Sequence, residues 1–117
     1  MSESIIREKS FNFSLQIIAL YKIMLAQKEY VLSKQLLKSG TSIGANVEEA
    51  LAGQSKKDFI SKMAIASNEA RETKYWLLLI EKSSLIEIDI SEHLINIEEI
   101  IRILTSIVKT SQLKQNK

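Results

Sequence analysis

The residues able to do chemistry are few, and they gather in the middle of the chain. Ser39, Ser42, Asn46 and Glu49 recur at three- and four-residue spacing, the interval that puts side chains on one face of a helix. Further on, Asn68, Glu69 and Glu72 supply an amide and carboxylates beside the small residues Ala66, Ala70 and Thr73. Asn46, Glu49 and Glu69 could make a polar site between two helices. The same residues also suit plain helix packing, in which buried polar groups satisfy one another. His93 is the single histidine and cysteine is absent. Nucleophilic triads need an imidazole to take the nucleophile's proton, and protein-only zinc sites are built from His and Cys, so neither is expected. A di-metal carboxylate centre in a helical bundle uses Glu-x-x-His motifs, yet position 90, three before His93, is Ile. Glu48/Glu49 and Glu98/Glu99 are sequence neighbours, so on a helix each pair diverges by about 100°. Glu98 is better placed to pair with Arg102. No catalytic residue, metal ligand or cofactor is expected, the chain reads as a non-enzyme, and His93 reads as a surface residue near a helix start.

Gly40 and Gly44 stand one turn apart inside a helical pattern, where each costs about 1 kcal/mol relative to Ala. Gly-x-x-x-Gly lacks the Gly-Lys-Ser/Thr ending of a phosphate loop, so the pair implies that a neighbouring helix comes close to that backbone. The packing motif is therefore Gly40, Ser42, Gly44, Asn46 and Glu49 on one helix with Ala66, Glu69, Ala70 and Thr73 on the next, and the second and third helices are expected to pack closely. Cations offer the other chemistry. Arg7 and Lys9 open the first helix, Lys34 and Lys38 lie one turn apart on the second, and Lys56 and Lys57 open the third. At that last position backbone amides and the helix dipole also favour phosphate. These six are the candidate nucleic-acid contacts, interrupted by Glu8, Glu48, Glu49 and Asp58. Lys109, Lys114 and Lys117 extend a basic tail, and Tyr30, Tyr75 and Trp76 could stack on bases or fill the core.

The elements that must position these residues are helices. Proline is absent, glycine occurs three times, and Leu, Ile, Lys, Glu and Ala are plentiful, a composition that favours helix throughout. Periodicity predicts helices over about 7–26, 31–52, 55–82 and 91–112. Gly53 is expected to cap the C-terminal end of the second. Ser55 with Asp58 resembles a capping box at the start of the third, where Asp58 and Lys62 are spaced for a pair, and Ser91 could cap the fourth. Short connections between long helices predict an all-α, antiparallel up-down-up-down four-helix bundle filling a single domain, 1–117. The first helix carries two apolar rows, Phe11/Ile18/Tyr21/Leu25 and Phe13/Ile17/Leu20/Met24. The last places Ile95, Ile100, Ile103 and Ile107 beside Leu94, Ile97, Ile101, Leu104 and Val108. A monomeric bundle buries one stripe per helix, so the extra rows predict a homo-oligomer.

Glu29–Ala50, Gln54-Ser-Lys-Lys-Asp-Phe-Ile and Glu72-Thr-Lys-Tyr-Trp-Leu resemble the bacterial four-helix bundle proteins, as does Ile103-Leu-Thr-Ser-Ile-Val-Lys. That family is also called the intervening-sequence protein of large-subunit ribosomal RNA, or the S23 ribosomal protein. The resemblance covers about residues 8–112. It implies an antiparallel bundle that assembles into a ring, a pentamer, and some members are encoded within insertions in ribosomal RNA genes. A related branch, the accessory protein of diversity-generating retroelements, binds reverse transcriptase and nucleic acid. That branch is strongly basic, whereas this chain has a formal charge of +2, so the intervening-sequence branch is the better fit. Structured RNA is the partner class that follows, with a protein-recruiting scaffold ring as the alternative.

Charge is uneven all the same. Residues 75–101 hold one base and six acids, and residues 102–117 hold four bases and no acid. The N-terminus has acids where a signal peptide has bases, and the most apolar window, Phe11–Leu25, is too short and polar to span a bilayer. A cytoplasmic protein without a membrane partner is expected.

Overall fold

The computed structural model describes residues 2–115, and the side chains of residues 3–114. Lys117 lies outside the described residues. The chain forms α1 (Ser2–Ala26), α2 (Leu32–Ala52), α3 (Lys56–Ser83) and α4 (Ser91–Gln115). Each helix packs on the next and α4 returns to α1, the least intimate of the seams. The bundle measures 51 × 22 × 21 Å. Its first helix starts about a turn and a half earlier than periodicity predicts. Ser-Glu-Ser carries no apolar pattern, but Ile6 is wholly buried and Arg7 is tied to Glu48 on α2, so tertiary contacts hold that first turn.

The core takes one row from each helix: Phe13, Ile17, Leu20 and Met24; Leu36, Ile43, Val47 and Ala50; Met63, Ala66, Ala70, Leu77 and Ile80; Ile97, Ile100, Ile101, Leu104 and Ile107. Fully burying one Ile or Leu contributes about 1.5–3 kcal/mol. Of the two rows predicted on α1, the Phe13 row goes inward, while Phe11 and Ile18 face solvent. On α4 Ile95 alone of the extra row is strongly exposed.

The turns depart from expectation in instructive ways. No Gly ends α1. Lys28 takes the left-handed conformation at φ 64, and Glu29 N donates to the Met24 carbonyl while Lys28 N donates to that of Leu25, the Schellman pattern. Val31 offers no capping side chain to α2. The Glu29 carboxylate instead accepts from the amides of Val31, Leu32 and Ser33, at 3.3, 3.0 and 2.7 Å. Gly53 caps α2 as expected, its amide donating to the Ala50 carbonyl, in an extended conformation at φ −64 and ψ 151. A Cβ there would lie 3.1 Å from the Ala50 carbonyl oxygen, so close approach rather than handedness explains the glycine. Ser55 accepts from the Asp58 amide as predicted. Lys62 reaches across to Glu49 rather than back to Asp58. At the start of α4 Asp89 accepts from the Ser91 amide at 2.9 Å, so Asp89 takes the role predicted for Ser91. The preceding connection is held down by Ile86 and Ile90, both buried, and by Gln27, whose amide pairs with both backbone groups of Glu87.

Candidate functional site

The polar row of α2 lies along its seam with α3. Ser39 and Thr73 are fully buried, and their hydroxyls sit 3.0 Å apart. Thr73 Oγ1 is also 2.8 Å from the Glu69 carbonyl and Ser39 Oγ 3.4 Å from that of Leu36. Each hydroxyl proton therefore has an acceptor whichever way the pair is oriented. Ser42 donates to the Lys38 carbonyl and Asn46 to the Ser42 carbonyl, bonds internal to α2. Glu49 is engaged by Lys62 at 2.9 Å. Glu69 stands seven residues beyond Lys62 on α3, about 10 Å away along the helix. The structure thus separates Asn46, Glu49 and Glu69 into local bonds and a cross-helix ion pair. Burial and the neighbouring Glu72 raise the Glu69 pKa, with Lys38 opposing them. Ala66 and Ala70 are wholly buried and let α3 approach α2.

Gly40 and Gly44 do not face that seam. A Cβ on Gly40 would lie 2.9 Å from both Cγ atoms of Ile17, and one on Gly44 would lie 3.3 Å from the Ser10 carbonyl oxygen and from Ser14 Oγ. Both glycines admit α1, not α3. Sequence shows that a neighbouring helix must come close; it does not say which, because every pair of neighbouring helices in a bundle shares the same periodicity.

The predicted cations are scattered. Arg7 is bound by Glu48 at 2.6 Å and Lys9 by Glu99 at 2.8 Å. Lys34, Lys38, Lys56 and Lys57 are exposed. Lys34 lies in the first turn of α2 and Lys56 beyond its other end, separated by roughly 27 Å of helix. Glu98 pairs with Lys74 on α3 rather than Arg102. The Lys74 hydrogen bond holds its pKa down, and the charges of Lys74, Arg102 and Arg71 add to the effect.

What sequence reasoning missed is a cationic groove between α3 and α4. Arg71 donates to Thr105 Oγ1 at 3.0 Å. Together with Asn68, Lys109 and Gln112 they line a cavity of about 290 Å³. Arg102, Thr105 and Lys109 share one face of α4 by their spacing. Among the described residues no carboxylate lies within ion-pair distance of Arg71, Arg102 or Lys109. The i, i+3, i+7 run on α4 was legible; its partner Arg71 was not, because the seam that unites them is tertiary.

Other chemistry is sparse. A cleft of about 600 Å³ opens at the end of the bundle where α2 meets α3, floored by Leu51, Phe59, Ile60 and Ile107 and rimmed by Lys56 and Lys114. His93 is not a surface residue: it is half-buried, and its Nδ1 is buried without a partner. Desolvation lowers its pKa against the opposing charges of Glu92 and Asp89. Tyr75 and Trp76 meet edge to face, with centroids 5.3 Å apart. Tyr75 is exposed and Trp76 half-buried, with Trp76 Nε1 donating to Glu72. Among the described residues no three His, Asp or Glu side chains are grouped to hold a metal ion, and no helix is long and apolar enough to cross a membrane.

The molecule is thus an all-α four-helix bundle with a polar α2–α3 seam and a glycine-mediated α1–α2 contact. A profile of the 23S rRNA-intervening sequence protein family matches residues 2–106, and the chain belongs to that family. It is similar in structure to a protein of unknown function from the S23 ribosomal protein family of Bacteroides thetaiotaomicron. The two share 44% sequence identity over 93% of this chain and 99% of that one, with a TM-score of 0.89. No protein of curated function matches in sequence.

Proposed function

We propose that this protein is a non-enzymatic, self-assembling module of the cytoplasm that binds structured RNA, with ribosomal RNA as the leading target. The observation that carries the reading is the outer face of α1. Phe11, Leu15 and Ile18 follow i, i+4, i+7 spacing opposite the core row, and they are 61%, 52% and 37% exposed. A contiguous apolar stripe of this kind marks an interaction surface. Repeated as a heterologous contact it closes a ring, a pentamer in this reading, and a ring multiplies weak contacts through multivalency. The RNA part is supported by the cations that no carboxylate engages and by the family's description. Sedimentation tests the assembly: the wild type is expected to be oligomeric at micromolar concentration and Phe11→Glu monomeric yet folded. A wild type that sediments as a monomer refutes it. Binding of a ribosomal RNA hairpin across a salt series tests the RNA part.

The exposed Tyr75 and its neighbour Leu79 favour a second reading, a ring that recruits a protein, since aromatic anchors dominate protein interfaces. Absence of RNA binding even at low salt selects it.

A further inference from the structure

The groove between α3 and α4 has the chemistry of a phosphate track, and we infer that it is where RNA is held, resting on the RNA-binding reading above. Arg71 of α3 and Lys109 of α4 line it; outside that lining, on the same face of α4, stands Arg102. The last two are seven residues apart on one face, about 10 Å along the helix. All three are exposed, and Arg71 is already oriented by its bond to Thr105.

No acidic side chain lines the cavity. Of the nearby acids, Glu98 is engaged by Lys74 and also senses the charges of Arg102 and Arg71. Glu99, next to Glu98 on α4, is bound by Lys9 of α1 and senses the charge of Arg102. By contrast, Lys34 and Lys38 come from α2 alone, and Arg7 and Lys9 are spent in ion pairs. The α3–α4 groove is therefore the place where cations from two helices, Arg71 and Lys109, line one cavity that holds no acidic side chain, and among the described residues neither makes an ion pair. Asn68 and Gln112, also on its walls, supply neutral donors for phosphate or 2′-hydroxyl oxygens, contacts that position a strand without reading its sequence. Tyr75 follows Arg71 by one turn on α3 and ends the track with an exposed ring, available to an unpaired base.

The test measures affinity for a ribosomal RNA hairpin against salt for the full-length wild type and three variants. These are Arg71→Ala/Lys109→Ala, Lys34→Ala/Lys38→Ala, and Lys82→Ala as a control for simple loss of charge. Each phosphate contact adds roughly 0.7 to 0.9 to the slope of log affinity on log salt. Losing Arg71 and Lys109 should make the slope shallower by about 1.4 to 1.8 per protomer engaged, a weakening of about 25- to 60-fold at about 0.1 M salt relative to 1 M. Lys82→Ala should leave the slope unchanged. If the Arg71/Lys109 variant proves unfolded by circular dichroism, Arg102→Ala/Lys109→Ala carries the same prediction while leaving the Arg71–Thr105 bond intact. Loss confined to the Lys34/Lys38 variant puts RNA on α2 and overturns the groove while the RNA reading stands. A wild type that binds no RNA at low salt overturns both.

Discussion

Replacing Gly40 by Ala sets two effects of similar size against each other, and the structure says which wins. Helix propensity favours Ala by about 1 kcal/mol. Against it, the new Cβ would lie 2.9 Å from both Cγ atoms of Ile17. Ile17 is wholly buried and stiff at χ1, so it cannot swing away. Overpacking of this kind costs about 1–3 kcal/mol, and with the clash made twice on one rigid side chain the upper half of that range applies. The net expectation is destabilisation by about 1–2 kcal/mol, or a fall in melting temperature of roughly 4–8 °C for a domain of this size. Thermal unfolding at one fixed protein concentration measures it, since an assembling protein's stability depends on concentration. The decisive comparison changes the partner. Ile17→Val keeps both Cγ atoms, so Gly40→Ala should still destabilise in that background. Ile17→Ala removes them, and there the same substitution should reverse sign and stabilise by about 1 kcal/mol. A neutral or stabilising Gly40→Ala in the wild type, or equal effects in the Val and Ala backgrounds, refutes the close-contact argument.

Other expectations follow from the turns and the buried imidazole. Lys28 holds φ 64, a conformation costing a non-glycine residue roughly 1 kcal/mol, so Lys28→Gly should raise the unfolding midpoint in urea; a lower midpoint counts against the left-handed cap. Glu29→Ala strips three amides at the start of α2 of their acceptor, and a loss of about 1–2 kcal/mol is expected by analogy with cap removal; no change in urea midpoint would dismiss the cap. Burial lowers the His93 pKa, so the unfolded chain binds more protons than the folded one as pH falls from about 7 to about 5. Stability should therefore decline over that interval, and His93→Leu should flatten the decline; an identical slope in the variant would remove His93 from the linkage. Glu98 and Glu99 are held below the usual range by Lys74 and Lys9. Their contribution is present above the ordinary Glu pKa and is lost further down, as pH falls through the lowered values, so a second decline in melting temperature belongs below about pH 4.5.

Much of the architecture is local information and stands in the sequence. Apolar residues at three- and four-residue spacing, the scarcity of glycine and the absence of proline determine long helices. Short links between them leave few arrangements besides an antiparallel bundle. The Ser55 cap was equally legible, because it joins residues three apart. The glycine pair announced a close contact for a similar reason: the cost of Gly within a helix needs a cause in the same few residues.

What the sequence did not determine is everything settled between helices. Whether Gly40 admits α1 or α3, whether Lys62 pairs with Asp58 or Glu49, and whether Glu98 takes Arg102 or Lys74 are choices among partners of equal chemistry at equal spacing. Helix rotation about its axis decides them. That rotation is set by burial of the whole core, to which each helix contributes one row, and no single segment encodes it. The same rotation turned Phe11 and Ile18 outward and Phe13 and Ile17 inward. It also aligned Arg71 with Thr105 and Lys109, residues tens of positions apart, into one groove. Electrostatic surfaces are sums over elements, so their sign becomes visible only once the elements are packed.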